Sequence, residues 1–335
     1  MTATEVPTTE PDRPRRFRRI LKRVAKVGGI AFVTLVVAVT AASFGYNLAT
    51  DVPAPRPAHL FFAKGGGWDT RYRRWGTDGT PIVLVPGAFE TADTFAKLGP
   101  VLARKHSVFA IDLSGTGYSA PNPPFSADHL AGQILAFLTT EHLTGPNKPV
   151  LVGHSAGAAD VGIAALQDPS AVSGVVFLDG DATPFPFPAF LGAIASTLFI
   201  NPYRTSVIRL ALSQDSLIKN IYNSACGPKC PRLGKAGVNT WRWPLEQPGF
   251  QAEIKYSMRH GITAMTPAQF AALKATDVPK LVVTGTRDPD IPHSDAALTA
   301  RRIGAPAPVY VPGRHLTMIA SPGQVAAAID SVALG

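Results

Sequence analysis

Apolar and polar positions divide the chain into stretches of different character. Residues 1–26 are polar and rich in arginine and lysine, whereas residues 27–50 carry no charged side chain. A charge-free run of that length is enough for a helix of about 20 residues to cross a bilayer. The segment "DVPAPRPA" (residues 51–58) follows, a proline-rich spacer that can join neither a helix nor a sheet core. Beyond it, short apolar runs alternate with segments of helical period. "RYRRWG", "PIVLVPG", "SVFAID", "PVLVGH" and "VSGVVFLDGD" are predicted strands. "TADTFAKLGPVLARKH", "SADHLAGQILAFLTTEHL" and "SAGAADVGIAALQ" are the predicted helices between them. Such alternation implies a mostly parallel sheet covered by helices on both faces.

From about Thr183 to Thr276 the alternation stops, and no strand pattern appears in an apolar run followed by helical pieces. That stretch is too long for a loop inside a compact domain, so it is predicted to be an inserted helical subdomain, or cap. Strand and helix patterns resume with "KLVVTGT", "SDAALTARRI", "APVYVPG" and "SPGQVAAAIDSV". The expected organisation is a basic tail (1–26), a transmembrane helix (27–50), a linker (51–58), an α/β domain (59–182 and 277–335) and a helical cap (183–276).

Charge sharpens this picture. The formal net charge is +9, yet the first 26 residues hold eight Lys/Arg against three acids, so most of the surplus belongs to the tail. The rest of the chain is nearly balanced and offers no basic, aromatic-interleaved face for nucleic acid. Cations ahead of an apolar helix stay on the cytoplasmic side, which places the remainder outside the cytoplasm on a membrane anchor. The competing expectation is a signal peptide cleaved near Ala41 and Ala42, giving a secreted protein. The two cysteines, Cys226 and Cys230, flank Gly-Pro-Lys, a turn that can bring their sulfurs within disulfide distance. Two thiols with no histidine nearby in sequence do not make a zinc site, and neither metal nor cofactor is expected.

The chemistry concentrates in "VLVGHSAGAADVG" (residues 151–163). Gly153-His154-Ser155-Ala156-Gly157 fits G-x-S-x-G, with a strand-forming run before it and helix-forming residues after it. Ser155 would then stand on a sharp strand-to-helix turn beside the N–H groups of a helix start, where an oxyanion can be held. A serine hydroxyl needs a histidine base and a carboxylate to orient that base. "LVVTGTRDPDIP" offers Asp288 and Asp290 after a resumed strand, and "VYVPGRHLTMIASP" offers His315 after the last one.

These motifs resemble those of the α/β-hydrolase-fold serine hydrolases, over roughly residues 60–335. The family's glycine-x-x-aspartate is matched by Gly285-Thr286-Arg287-Asp288, its Gly-x-His by Gly313-Arg314-His315, and its D-x-x-G-x-G-x-S by Asp112 to Ser119. Its His-Gly oxyanion motif appears as Pro86-Gly87-Ala88-Phe89, without the histidine. The resemblance implies a triad of Ser155, His315 and Asp288, with an oxyanion hole from the N–H groups of Ala88 and Ala156; Phe89 is the less favoured donor. Asp290 and Asp179 are the alternative acids. His293 falls out of order as a base, His154 is expected to point away from the active face, and His260 lies in the cap. The implied activity is cleavage of small apolar esters through an acyl-enzyme by a membrane-anchored esterase or lipase-like protein. A C–C bond hydrolase, an aminopeptidase, an acyltransferase and a catalytically silent binding protein remain the alternatives. The charge-free run "FPAFLGAIASTLFI" (residues 187–200) adds an expectation of apolar substrate contacts.

Overall fold

The structure is a computed structural model and describes residues 13–185 and 200–334. The apolar run at residues 187–199 therefore lies outside the described residues. Helix α1 (Arg13–Ala49) runs without a break from the described end of the basic tail through the charge-free run, and Phe17–Ala49 is long and apolar enough to cross a membrane. Anchors and signal sequences share that property. Its C-terminal turns carry a polar stripe (Thr40, Ser43, Asn47 and Thr50) at helical spacing.

Eight strands form one sheet in the order β1-β2-β4-β3-β5-β6-β7-β8. They are β1 (Phe61–Gly65), β2 (Trp68–Trp75), β3 (Ile82–Val85), β4 (Val108–Ile111), β5 (Val150–His154), β6 (Gly174–Leu178), β7 (Lys280–Gly285) and β8 (Val309–Val311). β1 and β2 pair antiparallel, β2 pairs antiparallel with β4, and every later pairing is parallel. All residues of β3, β4, β5, β6 and β7 are buried, as continuous apolar runs in a sheet covered on both sides should be.

The period of two sorts their side chains into two cores. Val83, Phe109, Leu151, Phe177 and Val282 face one way, under α2 (Ala127–Thr140) and α3 (Gly157–Gln167). Ile82, Val108, Val150, Val176 and Val283 face the other. Between β6 and β7 the chain forms α4 (Tyr203–Leu212), α5 (Asp215–Cys226), α6 (Lys235–Arg242), α7 (Phe250–His260) and α8 (Pro267–Ala275). α9 (His293–Ile303) and α10 (Pro322–Ala333) complete the layers, α9 on the first core and α10 on the second.

The polar stripe of α1 packs on α4. Thr40 Oγ1 and the Tyr203 hydroxyl are 2.5 Å apart, the Asn47 side-chain amide donates to the Pro202 carbonyl at 2.9 Å, and Arg209 reaches Asp51 at 2.7 Å. Cys226 and Cys230 are joined as a disulfide at the end of α5.

Three local features depart from the pattern or go beyond it. The expected helix over 91–106 is two single turns, Ala92–Phe95 and Gly99–Leu102, because Gly99-Pro100 disfavours continuation. Strand β1 carries no clear alternation before the Gly65-Gly66-Gly67 run, and the pattern misses it. "RYRRWG" and "PIVLVPG" are consecutive in sequence but not neighbours, since β4 lies between them.

Candidate active site

The strand order reverses around β3, which has β4 on one side and β5 on the other. A crevice opens at the carboxyl ends of strands at such a switch point. The loops after β3 and β5 meet there, and those after β7 and β8 join them.

Ser155 turns the chain between β5 and α3 with φ of +50°, a left-handed conformation that non-glycine residues seldom hold. Flanking glycines let the turn close. A Cβ on Gly153 would meet the Gly157 carbonyl, and one on Gly157 would stand 2.5 Å from the Pro86 carbonyl oxygen. Ser155 Oγ lies 3.0 Å from His315 Nε2, and His315 Nδ1 lies 3.0 and 3.1 Å from the two oxygens of Asp288. Asp288 Oδ1 also accepts the backbone N–H groups of Asp290 (2.8 Å) and Ile291 (3.1 Å), which fix its plane. Nδ1–H donating to this carboxylate leaves Nε2 free to accept the serine proton.

The other candidates fall elsewhere. The Asp290 carboxylate is 3.7 Å from His315 Nδ1 and its side chain is half exposed. Asp179 is fully buried and accepts the N–H groups of Gly285 and Thr317 at 2.9 and 3.1 Å, together with the Thr317 hydroxyl. Burial pushes its pKa up to about 7. His293 begins α9, and His260 ends α7 against Tyr256. Burial disfavours the His315 imidazolium, but the hydrogen bond and charge of Asp288, with Asp179 and Glu90 beyond, raise its pKa to about 9. One ligand atom each from Asp288, Asp290 and His315 lies within 4.8 Å of the others, a spacing that could hold a cation. Such an ion would take the Nδ1 lone pair, so it is incompatible with the Nδ1–H to Asp288 bond.

Ala88 and Ala156 face the same opening. Their N–H groups meet no protein backbone acceptor among the described residues. The loop carrying Ala88 is held by Glu90, whose Oε2 accepts the Gly87 N–H at 3.2 Å while its own N–H donates to the Gly87 carbonyl at 3.2 Å.

Glu90 is a residue the sequence does not announce, because its partner lies 64 positions away. His154 Nδ1 is 2.7 Å from Glu90 Oε2, and its Nε2 is 2.8 Å from the His315 backbone carbonyl. Both partners are acceptors, so both ring nitrogens carry protons and the ring is an imidazolium, fully buried. Burial opposes both charges, yet each holds the other ionised: His154 is shifted up and Glu90 down. His154 is thus a buried hydrogen-bonding residue that ties the loop carrying Ala88 to the His315 loop from beneath. Breaking one partner of a buried pair typically costs about 3–5 kcal/mol. Glu90→Gln and His154→Gln should each lower Tm by about 6 °C or more, and the double variant by much less than the sum. Additive shifts would mean the two side chains act separately.

The sequence profile of the alpha/beta hydrolase family matches residues 82–328. The uncharacterized hydrolase YugF of Bacillus subtilis (strain 168) is 27% identical over 216 residues, 63% of this chain and 74% of that one. Among solved structures, a thermophilic esterase from Thermogutta terrifontis is 21% identical with a TM-score of 0.63, covering 82% of this chain and 97% of that one. A bacterial membrane phospholipase A is 17% identical with a TM-score of 0.63, covering 95% of this chain and 99% of that one. At these identities the likeness to the two structures is one of fold. With the profile spanning the strands β3 to β8 and the loops that meet at the crevice, this chain belongs to the alpha/beta hydrolase family.

Proposed function

We propose that the chain is a serine hydrolase that cleaves carboxylic esters through an acyl-enzyme on Ser155. The observation that carries this reading is the relay Ser155 Oγ, His315 Nε2 and Nδ1, Asp288, with each step at 3.0–3.1 Å. Ser155 Oγ attacks the ester carbonyl carbon as its proton passes to His315 Nε2. The carbonyl oxygen becomes an oxyanion held by the N–H groups of Ala88 and Ala156. The C–O bond then breaks, and the imidazolium gives its proton to the departing alkoxide. Water repeats the cycle on the acyl-enzyme, releasing the acid and restoring the serine.

The substrate side of the crevice is a small opening whose lining includes Phe89, Leu113, Phe125, Leu130 and Ile262. An apolar acyl chain fits these walls, and each methylene buried is worth up to about 0.8 kcal/mol. kcat/KM on p-nitrophenyl esters should therefore rise by more than about tenfold from acetate to hexanoate. A flat or falling series would remove the apolar-substrate part of the proposal and leave the triad untouched.

The place of action follows from α1. We propose a retained anchor with the basic turns in the cytoplasm and the catalytic domain outside. Protease added to intact cells should cut the domain and spare the tail. A mature N-terminus near Ala42 would establish a cleaved signal peptide instead.

A further inference from the structure

The cavity beside the nucleophile contains acidic side chains that the hydrolytic steps do not use. Asp160, in the first turn of α3, is 1% exposed, and its Oδ1 has no hydrogen-bond partner among the described residues. Its Oδ2 has only the Thr263 hydroxyl, at 3.5 Å. Glu253, on α7, lines the same cavity, and its oxygens accept from the hydroxyls of Thr116 and Ser257 at 3.3 Å each. The third carboxyl on this lining, Glu90, is already paired with His154. No lysine or arginine lines the cavity among the described residues.

Such a placement is costly unless something pairs with it. A buried carboxylate without a cation loses its hydration. An uncompensated negative charge near Ala88 and Ala156 also opposes the oxyanion they are placed to hold. Burial accordingly pushes Glu253 up to about 7 and Asp160 well above the usual carboxylate range. Packing alone does not call for acids here, since the wall otherwise carries neutral side chains, Leu113, Phe125 and Leu130 with the hydroxyls of Ser114, Thr116, Ser257 and Thr263. An ammonium group has three donors and no acceptor, so it suits a lining that carries the carboxyls of Asp160 and Glu253 and, among the described residues, no cation, and it would neutralise their charge. Ser155 sits on the turn before α3 and Asp160 in the first turn of that helix, so the two are close along the chain. A short alkyl chain between the reacting carbonyl and the amine suits this closeness.

We infer that Asp160 and Glu253 receive the ammonium group of a substrate, so that the preferred ester carries a primary amine at the end of a short apolar chain. This rests on the ester-hydrolase reading and narrows its substrate class. The apolar walls hold the methylenes, and the two carboxyls hold the charged end.

The test compares p-nitrophenyl 6-aminohexanoate with its neutral isostere, p-nitrophenyl heptanoate, on the full chain in detergent near pH 8. Hydrogen bonds to charged groups are strong enough to favour the amine ester by about tenfold or more in kcat/KM. That ratio should fall toward one in Asp160→Asn, in Glu253→Gln and in the double variant. In parallel, calorimetry on Ser155→Ala should show n-hexylammonium binding about tenfold more tightly than 1-hexanol, and the preference should vanish when Asp160→Asn is added. Melting curves of the variants establish that they are folded, and both substitutions keep side-chain shape. Equal kcat/KM for the two esters, or equal binding of hexylammonium and hexanol, overturns the inference. If the wild type hydrolyses neither ester, the ester-hydrolase reading fails, while the calorimetric comparison still decides the ammonium site.

Discussion

Ser155→Ala is expected to lower ester turnover by about 10⁴-fold or more, an effect matched only by loss of the His315 base. In the proposed mechanism the hydroxyl forms the covalent bond, and its hydrogen bond runs to His315 Nε2. Nothing else about the turn should change. Alanine keeps the Cβ, so the φ of +50° at this position is held by the same surroundings. Tm should therefore stay within about 1–2 °C of the wild type, as for a side chain with no packing role. An organophosphonate probe should label the wild type on the peptide containing Ser155 and leave the alanine variant unlabelled, because only an activated serine attacks such a reagent quickly. Labelling that survives the substitution would assign the nucleophile elsewhere. A large fall in Tm would mean that lost activity reports unfolding and not chemistry.

Legibility in the sequence follows the range of the interactions involved. The buried strands β3, β5, β6 and β7 are short, continuous apolar runs because both faces of the sheet are covered, and a local pattern reveals them. The roles proposed for Ser155, Asp288 and His315 are legible for a related reason. Each sits at the end of a strand, and a parallel sheet brings such ends to one edge whatever their separation in sequence. β1 escapes notice because its stability comes from pairing with β2, not from an alternating face of its own. The broken helix over 91–106 has apolar residues at suitable spacing, but Gly99-Pro100 interrupts the backbone that the spacing presumes.

The pair of Glu90 and His154 shows where local reading ends. A histidine inside the G-x-S-x-G segment can be read as packing, and an acid after the oxyanion glycine can be read as a turn residue. Only the fold brings them within 2.7 Å and sets the second nitrogen against the His315 carbonyl. Asp160 is similar. Its place in the first turn of a helix suits a negative charge near the positive end of the dipole, which is a sufficient local reason for an acid. That it is buried, lacks a partner on Oδ1 and faces the cavity emerges from the packing of α3 alone with its surroundings.

Asp288→Asn should also be severely damaging. The asparagine would fill the same space, and its side-chain oxygen could still accept the N–H groups of Asp290 and Ile291. What it cannot do is favour an imidazolium or hold Nδ1–H with a full charge. In triads of this kind that loss lowers kcat by about 10⁴-fold without unfolding the protein. Asp290→Asn should cost less than about tenfold, since its carboxylate stands 3.7 Å from Nδ1 and is half exposed, where an ionic contact is weak. Asp179→Asn should act chiefly on stability, because that side chain accepts three hydrogen bonds from Gly285 and Thr317 and reaches neither nitrogen of His315 at bonding distance. The pH profile separates these cases. Only the neutral imidazole takes the serine proton, so wild-type kcat/KM should rise with pH through a limb above the free-histidine value of about 6.5, in the direction that Asp288 shifts His315. Removing the Asp288 charge should move that limb to lower pH, whereas Asp290→Asn should leave it close to its wild-type position. If Asp290→Asn instead proves the crippling change and carries the shift of the limb, the acid has been placed two residues too early in the loop after β7.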